Sequence, residues 1–273
     1  MKLIIIVLVV VSQYAISAHA AWHLTWADEF NGNQLNLSDW TFQTGCSGWG
    51  NNELQCYTHN RHENTRVENG HLVIDARVEN YEGHHFTSAR LNSRHAWAYG
   101  KFEARAKMPH GKDLWPAIWM MPRDSKYGAW AASGEIDIME LWGDKPHEIV
   151  GSIHFGGTQP NNIHRNSGVR HFDADLTAGF HTYGLEWDAN EIKWFLDGQH
   201  YHTENINQNM WSHKGTNPYH KNGEPFDQPF YWILNIAVGG TFFGNGPYVT
   251  PAEANHWPKH TMEVDYVRVY RWQ

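Results

Sequence analysis

The sequence predicts an all-β protein of the sandwich or jelly-roll kind, and three observations carry that prediction. Apolar and polar residues alternate through many short runs, turn signals punctuate the runs, and no segment holds a sustained helical stripe. In Lys101-Phe102-Glu103-Ala104-Arg105-Ala106-Lys107-Met108 every second side chain is charged and the ones between are apolar, the period of a half-buried strand. Shorter runs follow the same rule at Leu72 to Val78, Ile149 to Phe155, Tyr183 to Trp187, Glu191 to Leu196 and Thr261 to Tyr270. Asn69-Gly70, Gly156-Gly157 and Asp197-Gly198 supply turns, and the last separates two extended runs as a hairpin turn does. Helix is confined to Pro251 to His256, room for about a turn or two.

The chain opens with Lys2, an unbroken apolar run from Leu3 to Val11 and the small-residue tripeptide Ala18-His19-Ala20, the pattern of a secretory signal peptide over residues 1–20. The run is far shorter than the roughly 20 residues that span a bilayer, and no later segment is long and apolar enough to do so. No Pro-, Ser- or charge-rich linker divides residues 21–273, which therefore read as one secreted, extracellular domain with no membrane partner. Cys46 and Cys56, close together in a Gly-rich segment, are placed to form a local disulfide outside the cytosol.

Net charge is −8, and no basic cluster or arm is present, which disfavours nucleic acid as a partner. The 20 His are scattered without the spacing of a zinc motif and read mostly as surface residues. Fifteen Trp, 12 Tyr and 12 Phe sit in a chain of mean hydropathy −0.62, so many rings lie beside polar residues. Core packing accounts for more than half of them; the others suit a groove for a partly apolar ligand.

One segment carries chemistry. Ser133-Gly134-Glu135-Ile136-Asp137-Ile138-Met139-Glu140-Leu141 sets three carboxylates among apolar residues. On a regular strand Glu135 and Asp137 share a face, but alternation gives the third place to Met139, not Glu140. A one-residue bulge after Ile138 restores Glu140 to that face. The two glutamates then stand effectively four residues apart, about 13 Å between Cα atoms. With each side chain leaning inward by about 4 Å, the carboxyls approach the ~5 to 5.5 Å of a retaining glycosidase rather than the wider gap of an inverting one. The residues alone leave nucleophile and acid interchangeable. Asp137 can hold the nucleophile or raise the acid's pKa. Three solvated charges on an edge strand are the competing reading, against which Trp115, Trp119, Trp130 and Trp142 stand nearby.

The run Glu-Ile-Asp-Ile-Met-Glu, with Trp-Pro-Ala-Ile-Trp upstream, Gly-Trp-Gly-Asn-Asn-Glu-Leu-Gln at 48–55, Ser-Ala-Arg-Leu at 88–91 and Val-Asp-Tyr-Val-Arg-Val-Tyr at 264–270, resembles glycoside hydrolase family 16, in particular its laminarinase branch, which Met139 marks. The resemblance spans nearly all of residues 21–273. It implies a jelly-roll of two curved antiparallel sheets with a concave substrate cleft, and an enzyme whose partner is β-1,3-glucan; a monomer is expected. Glu135 becomes the nucleophile, Glu140 the acid/base and Asp137 their helper. Trp115, Trp119 and Trp130 become stacking surfaces, with Asn52, Arg90, His154 and Asn235 as hydrogen-bonding partners. Ala131 stands where many members carry Pro after the Trp. No cofactor is implied for catalysis, but a structural Ca²⁺ is, held by the main-chain oxygens of Glu29 and Gly70 and by the Asp265 side chain. The same fold serves non-catalytic glucan-recognition proteins, which usually lack the carboxylates.

Overall fold

The computed structural model describes residues 20–246 and 248–273. The signal-peptide segment falls almost wholly outside them. Alternating runs become strands in two eight-stranded sheets packed face to face. The first orders its strands as Gln199–Asn205, Glu191–Leu196, His181–Trp187, Gly100–Lys107, Thr261–Trp272, His71–Asp75 and Thr65–Glu68, with Trp22–Asp28 also pairing with Thr261–Trp272. The second runs Ile163–Asn166, Glu148–Phe155, Glu135–Leu141, Leu114–Pro122, Phe230–Val238, Arg90–Ser93 and Trp40–Gln43, with Arg170–His171 also on Glu148–Phe155. All pairs in both sheets are antiparallel. Gln55–Tyr57, His84–Ser88 and Arg77–Tyr81 form a small third sheet.

In Gly100–Lys107, Phe102, Ala104 and Ala106 are buried while Lys101, Glu103, Arg105 and Lys107 lie half-exposed, so sequence period and burial period coincide. Asp197 and Gly198 take φ of 50° and 77°, the pair of left-handed residues a tight hairpin needs, and Asn69-Gly70 does the same at 54° and 77°. The helix is Pro251–Ala254, opened by a reciprocal capping box between Thr250 and Glu253. The Leu72 to Val78 run behaves differently: it divides between His71–Asp75 in the first sheet and Arg77–Tyr81 in the third. Buried Ala76 sits at the switch and donates its amide to His260.

The core lies between the two large sheets. Of the 15 Trp, four (Trp40, Trp187, Trp194, Trp232) are buried, four more pack half-buried against the core, and five line a cleft. Cys46 and Cys56 form a disulfide. Among the described residues no helix is long and apolar enough to cross a membrane.

Candidate active site

The outer face of the second sheet carries an open cavity of about 900 Å³. Glu135–Leu141 lies well inside that sheet, between Leu114–Pro122 and Glu148–Phe155, so its acids are not edge-strand charges. Asp137 pairs with Trp119 on one side and Ser152 on the other; Glu140 pairs with Ala117 and Val150. Between those points the strand carries Ile138 and Met139, whereas its neighbours carry only Ile118 and only Gly151. That is a bulge of one extra residue. Ile138 and Met139 both enter the core, at 1 % and 0 % exposure, and Glu135, Asp137 and Glu140 all line the cavity.

The opposite sheet fastens the bulge from behind. The indole Nε1 of buried Trp194 donates to the main-chain oxygen of Asp137 at 2.9 Å, across the core. Gly151 makes room for that ring: a Cβ there would lie 2.5 Å from Trp194 Cδ1.

Each glutamate accepts from a different indole, Glu135 from Trp130 Nε1 at 2.6 Å and Glu140 from Trp115 Nε1 at 3.0 Å. Desolvation, followed by the charge of Asp137, pushes both carboxyls well up from the usual range. His154 Nε2 lies 3.3 Å from Asp137 Oδ2 and 3.9 Å from Glu135 Oε1. Burial alone would lower its pKa, but Asp137, Glu135 and Glu140 outweigh that and lift it to about 9. These acidic neighbours favour the charged form of the imidazole.

Trp115, Trp119, Trp130 and Asn235 line the cavity. Trp119 Nε1 donates to Asn235 Oδ1 at 2.7 Å. Arg90 also lines it and forms no ion pair among the described residues; its guanidinium lies between two indoles, 4.5 Å from the ring centre of Trp119 and 4.9 Å from that of Trp49. Asn52 is a correction. It is exposed, in a left-handed turn at φ 56°, and is not among the residues that line the cavity; the neighbours Asn51 and Glu53 are. Periodicity also passed over Trp49 and Phe242, which line the cavity from short 3-10 turns. Phe242 stacks between Trp115 and Trp142, with ring centres 4.4 Å from each. The Gly-Trp-Gly-Asn-Asn-Glu segment was the available signal for Trp49 and Glu53.

Glu29, Gly70 and Asp265 belong to the first sheet or its turns, away from the acids of the second: Asp28 pairs with Val267 and Leu72 with Val264 on the strand that carries Asp265. The strand bulges at Asp265, between Val264 and Tyr266. Two carbonyls and one carboxylate are oxygen donors of the kind Ca²⁺ takes, yet the Asp265 carboxylate is already ion-paired with Arg105. Calcium there would compete with an internal cation.

The comparisons agree with this geometry. The family model Glycosyl hydrolases family 16 matches residues 51–246. The chain belongs to that family. It is 50 % identical to a glucan endo-1,3-beta-glucosidase of Cryptopygus antarcticus, over 93 % of this chain and 94 % of the relative. The laminarinase structure from Rhodothermus marinus superposes with a TM-score of 0.80 at 42 % identity, covering 93 % of this chain and 99 % of the other. A beta-1,3-glucan-binding protein of Penaeus monodon is 30 % identical over 89 % of each chain. Family 16 membership accounts for the jelly-roll topology of the two sheets.

Proposed function

We propose that this chain is a retaining endo-β-1,3-glucanase that hydrolyses internal bonds of laminarin-type glucans, with mixed-linkage β-1,3/1,4-glucan as a further substrate. The observation that carries the reading is the bulge at Ile138 and Met139, which turns Glu135 and Glu140 to one cavity with Asp137 between them. Names of relatives that act on β-1,3-glucan support the substrate class.

The electrostatics break the tie between the two glutamates. Glu135 has the His154 cation at 3.9 Å and an indole N–H at 2.6 Å, both favouring the ionised form. Glu140 has an indole N–H at 3.0 Å and sits farther along the strand from that cation. Glu140 therefore keeps its proton to higher pH, and Glu135 is the nucleophile. Glu135 attacks the anomeric carbon while Glu140 protonates the departing oxygen; Glu140 then takes a proton from water as it displaces Glu135. Trp115, Trp119 and Trp130 offer stacking surfaces to glucosyl rings. Arg90, His154 and Asn235 offer hydrogen bonds.

Glucan recognition without cleavage is the second reading, favoured by the likeness to the Penaeus monodon binding protein. Reducing-sugar release from laminarin separates the two. Wild type releasing oligosaccharides supports hydrolysis, whereas binding without release supports recognition.

We also propose that the protein works outside the cell as a monomer, a setting that the Cys46–Cys56 disulfide supports. Ca²⁺ at Glu29, Gly70 and Asp265 belongs to the same proposal, as a weak structural ion.

A further inference from the structure

We infer that Glu53 is a positioning residue whose carboxylate ends a one-way chain of hydrogen bonds that fixes the Trp119 indole as a stacking platform beside the nucleophile. The inference rests on the glucan reading above and deepens it. The chain begins at the cleft, where Trp119 Nε1 donates to Asn235 Oδ1 at 2.7 Å. Asn235 Nδ2 donates to the Tyr57 hydroxyl at 3.0 Å. The Tyr57 hydroxyl has one proton, and it goes to Glu53 Oε2 at 3.4 Å. Gln55 Nε2 donates to the same oxygen at 2.7 Å, and Asn51 Nδ2 donates to Oε1 at 3.1 Å.

Direction is what requires an acid at this position. An indole N–H only donates, so Asn235 must present its oxygen to Trp119 and its amino group to Tyr57. Every donor then points toward residue 53. Burial pushes the Glu53 carboxyl pKa up, while the Gln55, Asn51 and Tyr57 donors and the nearby Arg90 charge favour the ionised form, which accepts from all of them and donates nothing. A glutamine there would set its own amino group against another donor. Tyr57 is 2 % exposed and Asn235 5 %, so water is a poor substitute at either link.

The anchor itself is held fast. Gln55 Oε1 accepts from the Val238 amide at 2.7 Å, and Glu53 bridges to Gly239, tying the segment to the end of the strand that carries Asn235. Arg90 covers one face of the Trp119 ring, so the indole has two constraints, one in its plane and one on its face. Trp119 pairs with Asp137 across the sheet, which puts the platform next to the reacting centre.

The test measures laminarihexaose binding by calorimetry in the Glu135→Ala background, where no turnover intervenes. Adding Tyr57→Phe or Glu53→Gln should weaken binding about tenfold, at a temperature where melting curves show both variants folded. In a Trp119→Phe background, which has no indole N–H, Tyr57→Phe should cost less than twofold more, because the chain has lost the residue it acts on. Unchanged affinity in both variants, or a full additional loss without the indole, would overturn the inference. If the Glu135→Ala parent binds no laminari-oligosaccharide, the glucan reading falls and takes this inference with it.

Discussion

His154 Nε2 stands 3.3 Å from Asp137 Oδ2 and 3.9 Å from Glu135 Oε1, in the cavity that Glu140 also lines. The contact sets an imidazole held in its charged form against a buried carboxylate. His154→Gln removes the cation. Glu135 then holds its proton to higher pH, so the acidic limb of the kcat/KM profile should move to higher pH, with activity at the former optimum down by about 10- to 100-fold. An unmoved limb would contradict this account of His154.

The same contact predicts a pH dependence of stability. A histidine whose folded pKa is about 9 contributes stability fully below its unfolded value of 6.5, and loses that contribution as pH rises through 9. Denaturant unfolding of wild type and His154→Gln should therefore converge between those pH values. A difference that stays constant across them would count against a charged imidazole.

Glu140→Ala should slow laminarin hydrolysis by about 10²- to 10⁴-fold, while an aryl glucoside with an activated leaving group loses much less in its first step. Parallel rate measurements on the two substrates decide it, and equal losses would remove Glu140 from the acid role.

Gly151→Ala strikes the bulge from behind. The new methyl would lie 2.5 Å from Trp194 and push it off the Asp137 carbonyl. We expect about 1–3 kcal/mol of destabilisation in chemical unfolding, together with a fall in kcat. Trp194→Phe, which keeps the ring and loses the N–H, should cost about 1 kcal/mol.

Calcium should raise the melting temperature only modestly, because Arg105 already neutralises Asp265. Arg105→Gln should strengthen Ca²⁺ binding in calorimetry and enlarge the drop in melting temperature on chelation. A melting temperature insensitive to chelator in both proteins would remove the metal proposal.

Much of this was legible in the sequence, and for physical reasons. Burial on one side imposes a period of two on strands such as Gly100–Lys107, so their faces could be assigned directly. The bulge was also accessible, because strict alternation would bury Glu140 and leave Met139 on the acidic face, and the core takes the methionine. Loops carry no such period. Asn52 was named from its motif, and only the folded loop shows its neighbour Asn51 lining the cavity. Glu53, Tyr57 and Asn235 lie 178 residues apart at their extremes of contact, Tyr57 to Asn235, and only folding brings them into one chain. Arg105 hides the same way: its alternation marks it as outward-facing but says nothing of Asp265, 160 residues on.

The measurement that bears most directly on the paired glutamates is proton NMR of the first product formed from laminarin, with Glu135→Ala beside wild type. Wild type should release the β-anomer first, which then mutarotates, and the variant should release essentially none. The α-anomer appearing first, or an undiminished rate without Glu135, would contradict the account.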